Sequence, residues 1–266
     1  MATLVTFHAH PDDECIGCGG VMRMAFEQGH RVVLVVATKG EHGEVPDGFL
    51  ADGEQLWQRR IKETDAAAGI LGVARVEFLG YIDSGMMGEP TNDEPGSFWT
   101  ASIEEAAQRL ADILADEQAD VLTVYDEHGG YGHPDHIQVH RVGLRAAEIA
   151  GTPRVYQATM NRDSAARQFK ELSERAAELG IEVPDPPETD DAAFGMPESQ
   201  LTARVDVSSY LEYKKSAMRA HASQISEQSF FLGVSDDVFA AFWGTEWFVR
   251  AGQGPGITET DLMTGL

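Results

Sequence analysis

With 266 residues and 42% hydrophobic side chains, the chain is long enough to bury a full core in a single α/β domain. Its 44 acidic against 20 basic residues leave a formal charge of −24, which argues against nucleic acid and anionic membrane surfaces as partners and reads instead as a solubility or habitat feature. No stretch approaches the roughly 18 continuous apolar residues of a membrane span, and the first residues lack the charged start of a signal peptide, so a cytoplasmic protein is expected.

Strand-like and helix-like segments then alternate. Residues 4–8 are apolar and β-branched and predict a strand, and 16–27, with Val21, Met22, Met24, Ala25 and Phe26, predict a helix. The run RVVLVVA over 31–37 is continuously apolar, as in a parallel strand covered on both faces. A helix over 56–71 ends near Gly72, followed by a strand over 75–79, a helix over 103–117 and a strand over 121–125. A helix over 135–150 and a strand over 155–159 complete the alternation. This order predicts an α/β fold: an open, mostly parallel sheet with helices on both faces, binding ligands beyond the carboxyl ends of its strands. A charged helix over 161–179, a Pro- and Asp-rich surface excursion at 181–200, a helix over 208–221 and a fraying tail beyond Gly252 follow, all within one domain spanning 1–266.

Two clusters sit at predicted strand ends. His10-Pro11-Asp12-Asp13-Glu14 follows the first strand, and Tyr131-Gly132-His133-Pro134-Asp135-His136 follows the fourth. Either alone reads as a turn. Together they read as a split metal site, because each offers imidazole and carboxylate around a stiffening proline. His10 and Asp13 supply two ligands, and one of His133 and His136 completes a three-ligand shell with an open position, the mark of a catalytic metal. His140 competes, being four residues after His136 on the same helix face. Asp12, beside a ligand, is placed to take a proton from water. His133 and Tyr131, on a loop loosened by Gly129, Gly130 and Gly132, are available to the oxyanion and the departing amine. Asp135 is expected to orient His133 and bias it toward imidazolium.

The remaining histidines, His8, His30, His42 and His128, read as solvated or satisfied in the core. Cys15 and Cys18 lack the second pair that a structural zinc site needs, so they read as packing. A nucleotide-binding role for Gly17, Gly19 and Gly20 is opposed by the neighbouring acids and by the absence of an acid after the second strand. A noncatalytic sugar-binding role would not need Asp12 beside a metal ligand.

The two clusters resemble the paired signatures of the PIG-L/LmbE-like metal-dependent N-deacetylases, and the resemblance runs over most of the chain. It implies a Rossmann-like LmbE-type fold, one zinc (or ferrous) ion per chain held by His10, Asp13 and His136, and Asp12 as general base. It further implies His133 as acid or charge stabiliser and Tyr131 as the group polarising the scissile carbonyl. Two mycothiol-pathway branches of the family are similar, deacetylases of N-acetylglucosaminyl-inositol and amidases of mycothiol S-conjugates. The segments holding Glu44, Arg60 and Asp83 resemble family stretches that touch sugar hydroxyls, which makes these three the expected substrate contacts. The expected partner is therefore a small acetamido-sugar or sugar-thiol substrate.

Overall fold

The computed structural model describes residues 1–179 and 194–266. Among them seven strands form one sheet in the order β3-β2-β1-β4-β5-β7-β6. These are β1 (Thr3–His8), β2 (Arg31–Val36), β3 (Arg75–Phe78), β4 (Val121–Tyr125), β5 (Arg154–Thr159), β6 (Ala203–Asp206) and β7 (Thr245–Arg250). The first five are parallel. β7 runs antiparallel to both β5 and β6, which lengthens the sheet at one edge.

The helices are α1 (Asp13–Gly17), α2 (Gly19–Glu27), α3 (Leu56–Leu71), α4 (Ile103–Asp116), α5 (Pro134–Ala150), α6 (Arg162–Leu179), α7 (Leu211–Ala220) and α8 (Asp236–Trp243). The strand period of two splits the apolar run of β2 between the faces. Val32, Leu34 and Val36 pack with residues of α2, α3 and α7, whereas Val33 and Val35 pack with residues of α4 and α5. Coverage on both faces is what the unbroken hydrophobicity of that strand requires.

The expected mostly parallel sheet is therefore present. The strands β6 and β7 and α8 were not anticipated, because β6 offers only four residues with alternate ones exposed and α8, although Ser235 and two aspartates mark its start, is only eight residues long. The helix expected over 16–27 is two helices broken at Cys18, whose φ of −135° leaves the helical region. Glu246 of β7 closes the gap: its carboxylate accepts the backbone N–H groups of Gly20 (2.8 Å) and Val21 (2.9 Å) at the start of α2. Lys214 of α7, also buried, donates to the same carboxylate at 2.6 Å and balances its charge.

Of the excursion expected at 181–200, residues 181–193 lie outside the described residues. Met196 bridges to Asn161, and Glu198–Gln200 form a single 3-10 turn. None of the described helices is long and apolar enough to cross a membrane.

The strand order reverses direction between β1 and β4, so the loops leaving these two strands diverge and open a crevice above the sheet edge. Both clusters occupy those loops.

Candidate active site and metal centre

β1 ends at His8, and the chain turns sharply at Asp12, whose φ of +98° lies in the left-handed region uncommon for a residue with a side chain. Three interactions hold that turn. Glu14 Oε2 accepts the Asp12 backbone N–H at 2.9 Å, Arg60 Nη2 donates to the Pro11 carbonyl at 2.5 Å, and the Cys15 thiol donates to the Asp12 carbonyl at 2.9 Å. As a result the adjacent carboxylates of Asp12 and Asp13 face different partners. Asp12 meets Arg60 at 3.2 Å, while Asp13 turns to the histidines.

The second cluster is set by the N-terminus of α5. His133 caps the helix, its Nδ1 accepting the Asp135 backbone N–H at 3.1 Å, and Pro134 occupies the first turn, where its missing N–H costs nothing. Before it, the Asp126 carboxylate accepts the backbone N–H groups of His128 (3.0 Å) and Gly130 (2.8 Å), curling the glycine loop. Gly129 has φ +65° and lies so close to the His136 side chain that a Cβ there would collide with it. The Tyr125 ring stacks on His136, with centroids 4.3 Å apart and planes at 11°.

The two loops bring His10, Asp13 and His136 to one point. Asp13 Oδ2 lies 3.4 Å from His10 Nδ1 and 3.3 Å from His136 Nε2. Ring nitrogens of His10, His133 and His136 lie within 4.8 Å of one another, all buried. On its other edge His10 Nε2 is 3.1 Å from Asp135 Oδ2 and 3.4 Å from Asp83 Oδ1. That arrangement assigns the tautomer: Nε2–H donates to a carboxylate, leaving the Nδ1 lone pair aimed at the Asp13 oxygen. Two lone pairs facing each other call for a cation or a proton between them. Burial alone would lower the His10 pKa, yet Asp83, Asp13 and Asp135 together raise it well above the usual imidazole value, so a proton serves there in the absence of an ion. Asp13 behaves conversely. Burial would raise it, but His136 and His10 hold it well below the usual carboxylate range. Among the described residues Asp13, Asp83 and Asp135 pair with imidazoles and with no Lys or Arg, a surplus of negative charge that a divalent ion would neutralise. The donor set fits a divalent metal of the kind that takes nitrogen and oxygen ligands.

Asp12 is pushed up to about 6, chiefly by burial, with Arg60 opposing and Asp13 adding to the rise. His133 is pulled down to about 4 by burial and by His10 and His136, and as the cap of α5 its Nδ1 already accepts a hydrogen bond. The expected imidazolium bias is therefore reversed: neutral His133 carries its proton on Nε2. Asp135 does not orient His133 through its carboxylate, which accepts from His10 and from both the backbone N–H and the hydroxyl of Ser84. It orients His10 instead. Tyr131 is 48% exposed, with its hydroxyl 3.5 Å from His136 Nε2.

Other expected residues are placed as follows. His140 Nδ1 lies 3.0 Å from the Tyr125 carbonyl, which engages that ring nitrogen. Asp83 Oδ2 accepts the His42 backbone N–H at 3.3 Å, while its Oδ1 faces His10. Arg60 is buried and donates to Gly40 O, Pro11 O and Asp12, so its guanidinium faces the loop rather than a substrate. The Glu44 side chain is exposed, and its carbonyl accepts from Gln224 at 3.0 Å. Cys15 and Cys18 are buried free thiols, consistent with packing.

Two contributors had been given no role. Glu14, whose Oε2 holds the Asp12 turn, meets His221 Nε2 through Oε1 at 2.6 Å, with both residues fully buried. Tyr125 supports β1 through His8 Nδ1 at 3.0 Å and the Ala9 backbone N–H at 3.4 Å. Glu14 stood in the first cluster, but its contact with His221 across 207 positions cannot be read from one sequence.

A doubly wound sheet with a buried imidazole–carboxylate cluster at its switch point defines a class, the α/β enzymes built to hold a divalent ion beside a free acid. Comparison gives the family. The profile of PIG-L, GlcNAc-PI de-N-acetylase, matches residues 5–147, and the chain belongs to that family. It is 42% identical over 279 residues to a protein of Nocardiopsis dassonvillei named 1D-myo-inositol 2-acetamido-2-deoxy-alpha-D-glucopyranoside deacetylase, covering 97% of this chain and 99% of that one. In fold it is similar to N,N'-diacetylchitobiose deacetylase from Pyrococcus horikoshii (TM-score 0.56, 23% identity, 93% and 83% of the two chains). GalB, a 4-carboxy-2-hydroxymuconate hydratase from Pseudomonas putida, is similar to the same degree (TM-score 0.59, 19% identity, 98% and 99%). The fold alone thus does not set the reaction. The resemblance noted from the two motifs is borne out.

Proposed function

We propose that the protein hydrolyses the N-acetyl group of an N-acetylglucosamine-type substrate, N-acetylglucosaminyl-inositol in the first instance, with one zinc ion held by His10, Asp13 and His136. The observation that carries this reading is the divergence of two adjacent carboxylates: Asp13 faces His10 and His136, while Asp12 faces Arg60 and lines the cavity above the site. Relatives about 40% identical over essentially their whole length, named as deacetylases of that sugar-inositol, support the substrate. The ion would supply Lewis-acid polarisation of the carbonyl and of water, and mixed imidazole–carboxylate ligation suits zinc, with ferrous iron also accommodated.

The chain's own groups divide the remaining work. Asp12 accepts a proton from the attacking water and later passes it to the departing amine, a task matched to a carboxyl raised to about 6. His133, neutral with Nε2–H free to donate, and the Tyr131 hydroxyl stabilise charge on the carbonyl oxygen. Asp135 orients His10, and Arg60 positions Asp12. Asp83 and Glu44 are the proposed contacts to sugar hydroxyls, Asp83 from beside His10 and Glu44 from the exposed loop after β2.

The test is a screen of metal-loaded protein against acetamido sugars, including N-acetylglucosaminyl-inositol and mycothiol S-conjugates, with released primary amine as readout. Preferential turnover of the inositol glycoside is expected. Amine release only from the S-conjugates would reassign the protein to the amidase branch.

A further inference from the structure

The loop after β3, residues 84–97, is tied at its base, where Ile82 N–H donates to the Gly96 carbonyl and Phe98 N–H to the Ile82 carbonyl, both at 2.9 Å. Ser84 stands just inside that tie, fully buried. Its carbonyl accepts from Asn92 Nδ2 (2.6 Å) and Thr91 Oγ1 (2.8 Å). Its backbone N–H donates to Asp135 Oδ2 at 2.9 Å, and its hydroxyl meets Asp135 Oδ1. The direction of that last bond is fixed by its neighbours. Trp99 N–H donates to Ser84 Oγ at 2.9 Å and fills an acceptor position, and the carboxylate accepts only, so the single hydroxyl proton lies toward Asp135. One residue thus grips both oxygens of a carboxylate 51 positions away.

Asp135 passes that grip to the metal site. Its Oδ2 also accepts His10 Nε2–H at 3.1 Å, which leaves His10 Nδ1 facing Asp13 Oδ2 at 3.4 Å. The next residue of the loop acts in the same sense: Gly85 N–H holds Asp83 Oδ1 at 2.9 Å, the second carboxylate beside His10. Freed from Ser84, the Asp135 carboxylate could rotate and swing the imidazole away from the point where Asp13 and His136 converge.

We propose that Ser84 is a positioning residue for the metal site, fixing His10 through Asp135, and that the loop after β3 is thereby part of the structure that holds the ion. The proposal rests on the assignment of His10 as a metal ligand and is indifferent to which amide is hydrolysed.

The test measures zinc dissociation constants by competition with a chromogenic chelator, with no substrate present and folding checked by circular dichroism. Ser84→Ala should raise the constant about tenfold or more, as loss of a hydrogen-bond partner behind a metal-bound histidine does. Ser97→Ala removes the adjacent hydroxyl, 2.8 Å from Ser84 Oγ and 3.0 Å from the Asn92 carbonyl, and leaves the Ser84–Asp135 contacts in place, so it should raise the constant less than about threefold. In an Asp135→Asn background, where the route is already broken, Ser84→Ala should add less than about twofold. Ser84→Cys, which keeps a weaker donor in the same position, should weaken binding severalfold and keeps the proposal refutable if the alanine variant does not fold. An unchanged constant in Ser84→Ala or Ser84→Cys, an equal loss in Ser97→Ala, or full additivity with Asp135→Asn overturns the role of Ser84. A parent protein that binds no zinc refutes the metal assignment and this proposal together. A parent that binds zinc and depends on Ser84 for it, yet releases no amine from any acetamido sugar, refutes the deacetylase reading and supports the role of Ser84.

Discussion

The Arg60 guanidinium reaches the Asp12 carboxylate at 3.2 Å while its neighbouring contacts bind the Gly40 and Pro11 carbonyls, so one buried cation both anchors the turn after β1 and faces the base it presents. At Gly40, φ is +64° and a Cβ would run into that guanidinium, which shows how tightly the arginine is enclosed. Its planar fork holds donors on two nitrogens in the fixed directions these three acceptors need, whereas an ammonium offers its three donors from a single point. Arg60→Lys should therefore lower kcat at least tenfold with a smaller change in KM. It should also cost about 1–3 kcal/mol of stability as buried carbonyls lose their donor. A pure rise in KM would restore Arg60 as a substrate contact.

Asp12→Asn should retain bound metal and lose about two to four orders of magnitude in kcat, as removal of a general base does. It should also stabilise the metal-free protein, in a pH-dependent way. The folded pKa of about 6 lies above the reference value of 3.8, so ionising Asp12 costs stability as pH rises between those values, up to about 3 kcal/mol. Thermal melts of the metal-free forms should thus converge near pH 3 and separate above pH 6, with the variant more stable.

His136→Ala should lose metal and activity together. His140→Ala should keep its metal, because His140 is engaged by the Tyr125 carbonyl, and should lose at most a modest amount of stability. Metal content by elemental analysis after dialysis separates the two, and the opposite pattern would move the ligand set down the helix.

Glu14→Gln should cost about 3–5 kcal/mol by leaving buried His221 without its counterion. The pH window follows from the two shifts. His221 is raised above 6.5, since Glu14 outweighs the lowering by burial, so its contribution is full below 6.5 and lost as pH rises through the folded value. Glu14 is lowered below 4.5, since His221 outweighs the opposite effect of burial, so its contribution is present above 4.5 and lost as pH falls through the folded value. The stability gap between parent and variant, measured by denaturant melts, should be widest from 4.5 to 6.5. A gap independent of pH would mean that shape, not charge, is what Glu14 provides.

The parallel half of the sheet and both clusters were legible because each is local: a continuous apolar run, a proline between histidine and aspartate, a strand followed by a helix. Partner choice was not local. Asp135 stands two residues from His133, yet the fold carries its carboxylate to His10 and Ser84, 125 and 51 positions away. Arg60 was expected to touch sugar hydroxyls, because nothing in its own helix reveals that Pro11 and Gly40 enclose it. β6 escaped notice because a four-residue edge strand carries only a weak period-two signal, β7 because its polar and apolar residues do not alternate cleanly, and α8, six apolar residues behind two aspartates, is too short to be told from a strand by periodicity alone. The ring cluster of Phe169, Phe230, Phe242 and Trp243 is drawn from α6, the segment before α8 and α8 itself, so only the assembled fold brings it together.

The most direct test strips the protein of metal, reconstitutes it with zinc, and counts acetate and primary amine released from N-acetylglucosaminyl-inositol. Acetate and amine should appear one for one, stop on chelation, return when zinc is restored, and be absent from His136→Ala. A folded, zinc-loaded protein that releases neither product from this or any other acetamido sugar would contradict the assignment of His10, Asp13, His136 and Asp12 to amide hydrolysis.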